Sequence, residues 1–292
     1  KRENEIKEIE VKRERIEVGD YVNYVPDTNA EGYTADKLSE SITGSTDNTV
    51  IKQDSLKWRI LNIDPSGRVD LISDTPTSQT VYFSGARGYN NGVYVINDIC
   101  RNLYGNSGLG ITARSLNLKD IEDKMNATGK AKRGEYANAV QYGKTKTYGI
   151  NNQYPNLYAQ ENGSGINTEA VKTDGIDVNT EGYSTPVQED SSTANDGLTV
   201  TQTYYYMIGQ STYFDDQGIY NMIFGTGSYY WLASRYTSCN STYANFGLRH
   251  VNNSALDGLN MFNSNGDADS RNSYLRPVVS LGTDIQITPV EN

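Results

Sequence analysis

The sequence predicts a mixed α+β fold, and three observations lead to that prediction. A hairpin of β-prone segments is followed by two amphipathic helical segments, and the C-terminal third returns to strand-like patterning. With 292 residues, of which 36% are hydrophobic, the chain is long enough to bury a substantial core. Apolar residues thin out over about 128–200, and no second core is visible there. We therefore expect a single domain over 18–288 that carries this stretch as a surface insertion.

The segment 1–17 is predicted to be a charged stalk or solvated helix that precedes the domain. It is highly charged, with apolar residues at Ile6, Ile9 and Ile16. The chain begins with Lys1 rather than Met, which leaves room upstream for a signal peptide or for a membrane or cell-wall anchor.

The first structured element is predicted to be a β-hairpin. Two β-prone runs, 58–63 and 68–73, are joined by Asp64-Pro65-Ser66-Gly67, in which proline and glycine supply the turn dihedrals. A core-facing helix is then predicted at about 92–104, because apolar residues recur at helical spacing before a glycine: Val93, Ile96, Cys100, Leu103 and Gly105. Cys100 should therefore point inward.

A second helix is predicted at about 118–127. Asn117 is its N-cap and Asp120 its capping-box partner, while Leu116 and Ile121 form a hydrophobic staple. Beyond the insertion six segments are predicted to be strands: Leu198–Ile208, Ile219–Phe224, Tyr229–Ser234, Asn245–Val251, Gly258–Asn263 and Leu275–Leu281.

Charge and residue counts exclude several functions. The net charge of −10 and the pI near 4.7 would repel phosphate backbones, so no nucleic-acid partner is expected. No run of about 18 apolar residues occurs that could span a membrane. One histidine and two distant cysteines cannot build a zinc site. A hydrolytic triad would require His250, which lies in an Asn/Ser-rich tract without a nucleophile elbow. We therefore expect no enzyme, no catalytic residue and no cofactor.

The chain is unusually rich in residues that suit contact surfaces. It has 23 Tyr against 5 Phe and 2 Trp, with 27 Gly and 30 Asn. Tyrosine gives a large amphipathic contact area at a low entropy loss, and Ser, Gly and Asn give adaptable hydrogen bonding. A secreted, loop-rich bacterial domain would show the same composition, so both interpretations stay open at this point.

Three C-terminal segments, separated by an Asn/Ser-rich tract, carry a family resemblance: Tyr230-Trp231-Leu232-Ala233-Ser234-Arg235, Phe246-Gly247-Leu248-Arg249 and Leu275-Arg276-Pro277-Val278-Val279-Ser280-Leu281. In these segments the chain resembles the variable proteins of diversity-generating retroelements, which have a C-type-lectin-like fold, and similar secreted surface proteins of gut bacteria. Further upstream, 88–92, 112–117 and 156–163 are similar to the wider group of surface proteins.

This resemblance implies an extracellular or surface-displayed protein, with a lectin-like scaffold that presents a variable region at about 231–281 to a protein or glycan ligand. In the family, template adenines are copied erroneously, so that Asn codons become codons for Tyr, Ser, Asp, His, Thr or Arg. The residues that match this pattern are nominated as diversified, ligand-facing positions: Tyr236, Ser238, Asn240, Tyr243, Asn245, His250, Asn252, Asn253, Asp257, Asn260, Asn263, Asn265, Asp267, Asp269, Arg271, Asn272 and Tyr274. Two alternatives are the polar loops of an invariant domain and a structural or adhesive subunit, pilus-like or phage-tail-like.

The resemblance does not extend to calcium-dependent sugar binding. Glu-Pro-Asn, Gln-Pro-Asp and Trp-Asn-Asp sequences are absent. Asp267 and Asp269 alone supply too few oxygen ligands, so no metal is predicted. Cys100 and Cys239 could pair in an oxidising exterior, but free thiols are expected, because Cys100 is predicted on the apolar face of a helix and Cys239 in a loop. Arg249 and Arg276 are expected to make structural contacts.

Overall fold

Two five-stranded sheets and a long helix organise the protein. The computed structural model describes residues 16–27, 32–33, 38–45, 50–130, 188–193, 199–203, 210–239, 244–253, 255–263, 268–283 and 287. These residues form a mixed α+β structure with few helices and several antiparallel sheets, as the sequence predicts. Residues 1–15 of the predicted stalk 1–17 and most of the insertion lie outside the described residues. Ile16 packs against the core and is not helical.

The strands are β1 Tyr21–Val22, β2 Gly32–Tyr33, β3 Val50–Ile51, β4 Trp58–Ile63, β5 Val69–Ser73, β6 Thr80–Ser84, β7 Thr112–Ser115, β8 Gln188–Thr193, β9 Thr199–Thr203, β10 Tyr229–Cys239, β11 Ala244–Asn252, β12 Ala255–Asn263, β13 Ser270–Tyr274 and β14 Pro277–Leu281. The α-helices are α1 Glu40–Thr43, α2 Gly85–Tyr104, α3 Leu118–Asp123 and α4 Gln217–Phe224. Residues 127–130 are also helical, and 3₁₀ turns occupy Ser107–Leu109 and Ser211–Tyr213.

The first sheet has the strand order β1-β4-β5-β14-β7. Its centre is the predicted hairpin β4–β5, which is confirmed. The turn is organised by the Asp64 carboxylate, which accepts hydrogen bonds from the backbone N–H groups of Ser66 and Arg68, at 2.9 Å each. Gly67 follows with a φ of 86°. Strand β14 returns from the C-terminal part of the chain and pairs between β5 and β7, so the two ends of the described chain share one sheet.

The second sheet has the order β12-β11-β10-β13-β6. Strands β10, β11 and β12 form an antiparallel meander, while β13 runs parallel to β10 and antiparallel to β6. The predicted strands over 229–234, 245–251 and 258–263 are confirmed and are longer than expected. Strand β6 and strand β7 were not predicted.

Helix α2 starts seven residues before its predicted beginning, at Gly85 rather than at about 92. Two glycines in its first half explain the difference, because glycine weakens a helical pattern but allows close packing. A Cβ atom at Gly92 would lie 2.4 Å from Leu248 Cδ1, and one at Gly88 would lie 2.9 Å from Phe83 Cβ. These glycines let the helix approach both β6 and β11.

Helix α3 confirms the predicted capping box. The Asn117 side chain accepts from the backbone N–H of Asp120, and the Asp120 carboxylate accepts from that of Asn117. The helix ends at Asp123 rather than at about 127. Leu116 and Ile121, the predicted staple, are both fully buried in the same apolar cluster.

One strand prediction is wrong, and another is confirmed except for its first two residues. Residues 219–224 belong to helix α4, whose N-cap Asp216 accepts from the backbone N–H groups of Gly218 and Ile219. Its apolar residues Met222 and Ile223 follow Ile219 at helical spacing, a pattern that a short apolar run shares with a strand. The predicted strand 275–281 starts only at Pro277. The predicted strand 198–208 lies partly outside the described residues, and its described part contains β9.

The core has two parts, on either side of the second sheet. Trp231 and Ala233 on β10 pack into the larger part with α2, whereas Tyr230 and Leu232 on the same strand pack into the part that contains α3 and α4. Strand β10 is therefore buried on both faces over 230–234, consistent with side chains that alternate between the faces of a sheet. No helix within the described ranges is long and apolar enough to cross a membrane.

Candidate ligand-binding surface

The register of the meander brings nominated positions together across three strands. Residues directly opposite each other form two neighbouring rows, Ser238–Asn245–Asn263 and Tyr236–Gly247–Asn260. The side chains of Tyr236, Ser238, Asn245 and Asn263 lie outside the described part of the chain. Asn240, Tyr243, Asn265 and Asp267 lie outside it altogether.

Four other nominated side chains are exposed. Asn252 and Asn253 form the tip of the β11–β12 hairpin, Asp257 follows on β12, and Asp269 precedes β13. Asn253 has a φ of 54°, the one non-glycine residue with a positive φ in the described ranges. Asparagine tolerates this left-handed conformation better than most residues.

The remaining surface candidates are half-buried and tie strands together. Arg271 on β13 donates from Nε to the carbonyl of Asn260 on β12 at 2.9 Å and pairs through Nη2 with Asp269 at 2.8 Å. Asn272 and Tyr274, on the same strand, are also half-buried. Arg271 thus serves the scaffold as well as the surface.

His250 does not lie on the surface and must be removed from the set of ligand-facing positions. Its side chain is 4% exposed, and its ring centroid lies 6.3 Å from that of Trp231. His250 is paired in register with Trp231 on one side and with Asp257 on the other, so its side chain shares their face of the sheet. Nε2 lies 3.8 Å from Asp257 Oδ2. This contact lowers the pKa of the Asp257 carboxyl, with a further contribution from the Gly258 N–H.

Three tyrosines lie close together beside the hairpin tip, and two asparagines are paired with them in the register of the sheet. We call this group the tyrosine patch and define it as Tyr82, Tyr229, Asn252, Asn272 and Tyr274. The rings of Tyr229 and Tyr274 lie 5.1 Å apart, and Asn272 is directly opposite Tyr82 in the sheet. Asn252 is directly opposite Tyr229. Tyr82 and Tyr229 are 37% and 39% exposed.

Sequence reasoning nominated three residues of this patch and missed Tyr82 and Tyr229. The signal for Tyr82 was present in the sequence, because two apolar residues, Val81 and Phe83, flank it. Both are fully buried in the structure. Strand alternation then turns Tyr82 outward. For Tyr229 the signal was the tyrosine doublet at the start of β10, of which Tyr230 is fully buried.

The patch has no ionisable group that is charged at neutral pH. The proximity of Tyr274, followed by desolvation, raises the pKa of Tyr229 above its ordinary value near 10. The Tyr229 phenol therefore remains a neutral donor and acceptor. Such a surface offers aromatic contact area and neutral hydrogen-bonding groups.

The scaffold behind the patch is held by a buried arginine. Arg276 is fully buried, and its guanidinium donates to the carbonyls of Ser73, Asp74 and Met222 at 2.7, 3.0 and 2.8 Å. Desolvation lowers its pKa below the ordinary arginine value. The predicted structural role of Arg276 is confirmed, since it joins the end of β5 to α4. Arg249 is 2% exposed.

Neither a metal centre nor a reactive thiol is found among the described residues. They contain no group of three His, Cys, Asp or Glu side chains that could hold an ion. Cys100 is a free, fully buried thiol on the inner side of α2, as predicted. Burial raises its pKa well above the ordinary value, which disfavours the nucleophilic thiolate. The side chain of Cys239 lies outside the described part of the chain.

Comparison of the chain with protein-family models, with curated proteins and with solved structures finds no match. The functional argument therefore depends on the residues themselves.

Proposed function

We propose that this protein is a secreted or surface-displayed binding protein, whose lectin-like scaffold presents a diversified Tyr/Asn/Ser-rich face to a protein or glycan ligand. The observation that carries the proposal is the tyrosine patch. It combines exposed aromatic rings and neutral amides on a rigid sheet, next to the hairpin tip where the nominated Asn252 and Asn253 are exposed. Aromatic anchors on a pre-organised surface are typical of protein binding sites.

The distribution of burial supports the division into scaffold and variable face. Trp231, Leu248 and Val278, which belong to the family-like segments, are fully buried. The nominated Asn252, Asn253 and Asp257 are exposed at the adjoining tip and edge. Substitutions at such exposed positions usually change stability by less than about 0.5 kcal/mol, so this surface can vary while the fold is retained.

The lectin-like fold is proposed because the family-like segments are buried, as a scaffold requires, and because of the arrangement of the two sheets. Strand β14 returns to the sheet that contains β1, so that the ends of the domain meet. The longer strands β10, β11 and β12 stand in a separate sheet with the nominated positions.

The decisive experiment is to sequence codons 229–281 of the gene, together with its flanks, in many cells of one population. The proposal predicts a nearby, near-identical repeat and substitutions confined to positions where that repeat has adenine. Asn252, Asn253 and Asn272 should vary, whereas Trp231 and Val278 should not. Substitutions spread evenly over codons 229–281, or the absence of the repeat, would contradict it.

The alternative, a structural or adhesive subunit, makes a different prediction. The edge strand β12 and the patch would then contact neighbouring copies, and sedimentation velocity should show assembly that increases with protein concentration. A ligand-binding protein with a variable face should keep one sedimentation coefficient over the same range.

A further inference from the structure

A lysine and an asparagine from distant parts of the chain meet where helix α3 adjoins the first sheet. Lys124, the C-cap residue of α3, donates from Nζ to Asn62 Oδ1 on β4 at 2.8 Å. Both residues are half-buried. A C=O bond is about 1.2 Å long, so Lys124 Nζ lies at most about 4 Å from Asn62 Cγ. An amine is thus held close to the carbonyl carbon of an amide.

A buried carboxylate lies beside this pair. Asp70 on β5 is directly opposite Asn62 in the antiparallel sheet, a position that puts their Cβ atoms about 5 Å apart on one face. The register shifts between Ile60 and Asn62, and such irregularities re-aim a side chain. Asp70 is 8% exposed, and its Oδ1 accepts from the Ser280 hydroxyl at 2.6 Å. Amine, amide and carboxylate therefore occur together.

Apolar packing fixes the two elements that carry these groups. Ile121 and Met125, which lie three residues before and one residue after Lys124, are buried in one apolar cluster. Ile72, two residues after Asp70 and therefore on the same face of β5, belongs to that cluster as well. The amine is consequently held at the edge of a packed core, which reduces the entropy that a reaction between the two side chains would cost.

The surroundings of Lys124 also favour its neutral form. Desolvation lowers the pKa of the ammonium group, and Lys130 acts in the same direction, whereas Asp123, Asp120 and Asp70 act against it. The net effect is a pKa below the ordinary lysine value. A neutral amine carries the lone pair that attacks a carbonyl carbon, so this shift increases the nucleophilic fraction of Lys124.

We propose that Lys124 and Asn62 form an intramolecular isopeptide bond in the folded chain, with Asp70 as the proton carrier. The neutral Lys124 amine attacks Asn62 Cγ, so that a new C–N bond forms while the bond between Cγ and Nδ2 breaks. Asp70 takes one proton from Nζ and delivers it to Nδ2, which leaves as ammonia. No atom changes its oxidation state, so the reaction requires no oxidant, reductant or cofactor.

The bond would close a loop of the chain that contains β5, β6, α2 and β7. Such a cross-link restricts the unfolded chain as a disulfide does, but reducing agents do not open it. The proposal does not rest on the function proposed for the tyrosine patch, because that surface belongs to the second sheet.

The test is mass spectrometry of the purified full chain, intact and after digestion with trypsin. The intact mass should be lower than the mass of the sequence by one molecule of ammonia. Trypsin does not cleave after an acylated lysine, so the digest should contain peptide 60–68 joined to peptide 120–130. An intact mass equal to that of the sequence, with 60–68, 120–124 and 125–130 as separate peptides, would overturn the proposal.

Two lysine variants identify the source of the lost ammonia. Lys124→Arg keeps the positive charge, but a guanidinium stays protonated and should form no bond, so the full mass should return. Lys119→Arg is the matched control, because Lys119 lies on the same helix and pairs with Asp123 at 2.7 Å. It should keep the mass deficit. A deficit that persists in Lys124→Arg would overturn the proposal, since an Asn-Gly pair such as Asn91-Gly92 can lose ammonia by closing a succinimide.

The variant Asp70→Asn tests the proton carrier. Its side chain has nearly the same size, and its amide oxygen can still accept from the Ser280 hydroxyl. The intact mass should then equal that of the sequence, while the circular dichroism spectrum stays that of the unaltered protein. A complete mass deficit in Asp70→Asn would overturn the role of Asp70.

Discussion

The two long hairpins of the protein, β4–β5 and β11–β12, differ in how their surroundings fix them. The first lies inside its sheet, with β1 on one side and β14 on the other, and every residue of β5 is buried. In the second, β12 is the edge strand of its sheet, and the hairpin tip is exposed. The inner hairpin therefore has a neighbouring strand on both sides, although β1 pairs only with the first two residues of β4, whereas the outer hairpin has a neighbouring strand only beside β11.

The edge strand β12 also carries features that discourage pairing with another chain. An edge presents unpaired backbone groups that can recruit another chain, and charged side chains and strand irregularities discourage this. Asp257 supplies an exposed charge on β12, and the register between β11 and β12 shifts at Phe246 and Gly247. Both features disfavour the pairing of β12 with a further strand.

The sharpest test of this contrast uses two aromatic residues on one strand. Trp231 is fully buried and donates from Nε1 to the carbonyl of Val81 at 2.9 Å, whereas Tyr229 is 39% exposed. Trp231→Ala should lower the free energy of unfolding by about 4 kcal/mol, because it leaves a large cavity. Tyr229→Ala should lower it by less than about 1 kcal/mol. Urea denaturation followed by circular dichroism measures both, and equal losses would contradict the division into scaffold and face.

The next largest difference in stability is expected between substitutions of two arginines, Arg276 and Arg271. Arg276→Met would leave the carbonyls of Ser73, Asp74 and Met222 without their donor in the protein interior, and should lower the free energy of unfolding by about 3 kcal/mol. Arg271→Met removes a half-exposed side chain with one carbonyl partner and one exposed carboxylate partner, so the loss should stay below about 1 kcal/mol. Chemical denaturation of both variants in the same buffer compares the two losses in the free energy of unfolding. A larger loss for Arg271→Met would refute the assignment of Arg276 as the structural link.

Sequence reasoning succeeded where a local pattern decides the structure. The turn at Asp64, the capping box at Asn117 and the inward-facing Cys100 each follow from a few neighbouring residues. It missed the first turns of helix α2, where Gly88 weakens the helical pattern and where the close approach of Leu248 to Gly92 joins residues far apart in the chain. The short apolar run 219–224 is compatible with both helical and strand periodicity.

The candidate surface was predicted in part for the same reason. A polar residue in a polar tract was taken to face outward, and Asn252, Asn253 and Asp257 do so. His250 has the same sequence context but lies inside, because its register places it opposite Trp231. That register includes an irregularity between Trp231 and Arg235, which alternation alone does not reveal.

The turns of the two hairpins offer a finer comparison, since each contains a residue with a positive φ. Gly67→Ala should lower the free energy of unfolding by about 1 kcal/mol through backbone strain alone, because no atom lies within 4 Å of the added Cβ. Gly67→Asn should lower the free energy of unfolding by less than Gly67→Ala does, because asparagine tolerates a positive φ. Asn253→Gly should change stability by less than about 0.5 kcal/mol. Thermal denaturation of the three variants is the measurement, and a large loss in Asn253→Gly would show that the Asn253 side chain holds the tip.

The smallest expected effect on stability comes from the contact between His250 and Asp257 in the outer hairpin β11–β12. Contact with His250 lowers the pKa of Asp257, so the folded state favours the carboxylate. This contribution to stability is present above the unfolded pKa, about 3.9, and is lost as the pH falls through the lower folded value. His250→Phe should raise the pKa of Asp257 toward the ordinary value and remove that part of the acid dependence. The stability change is small because the Asp257 side chain is 55% exposed.

Carbonyl-detected NMR of the carboxyl groups measures this shift directly, and Asp64 supplies an internal control. The pKa of Asp64 is lowered by the Ser66 hydroxyl and the Arg68 N–H, both within its own turn. It should therefore titrate identically in His250→Phe and in the unaltered protein. If Asp257 also keeps its titration midpoint, the imidazole contact is not what lowers its pKa, and the Gly258 N–H must account for the effect. If both carboxyl groups shift, the substitution has altered more than the outer hairpin, because Asp64 lies in the turn of the other hairpin.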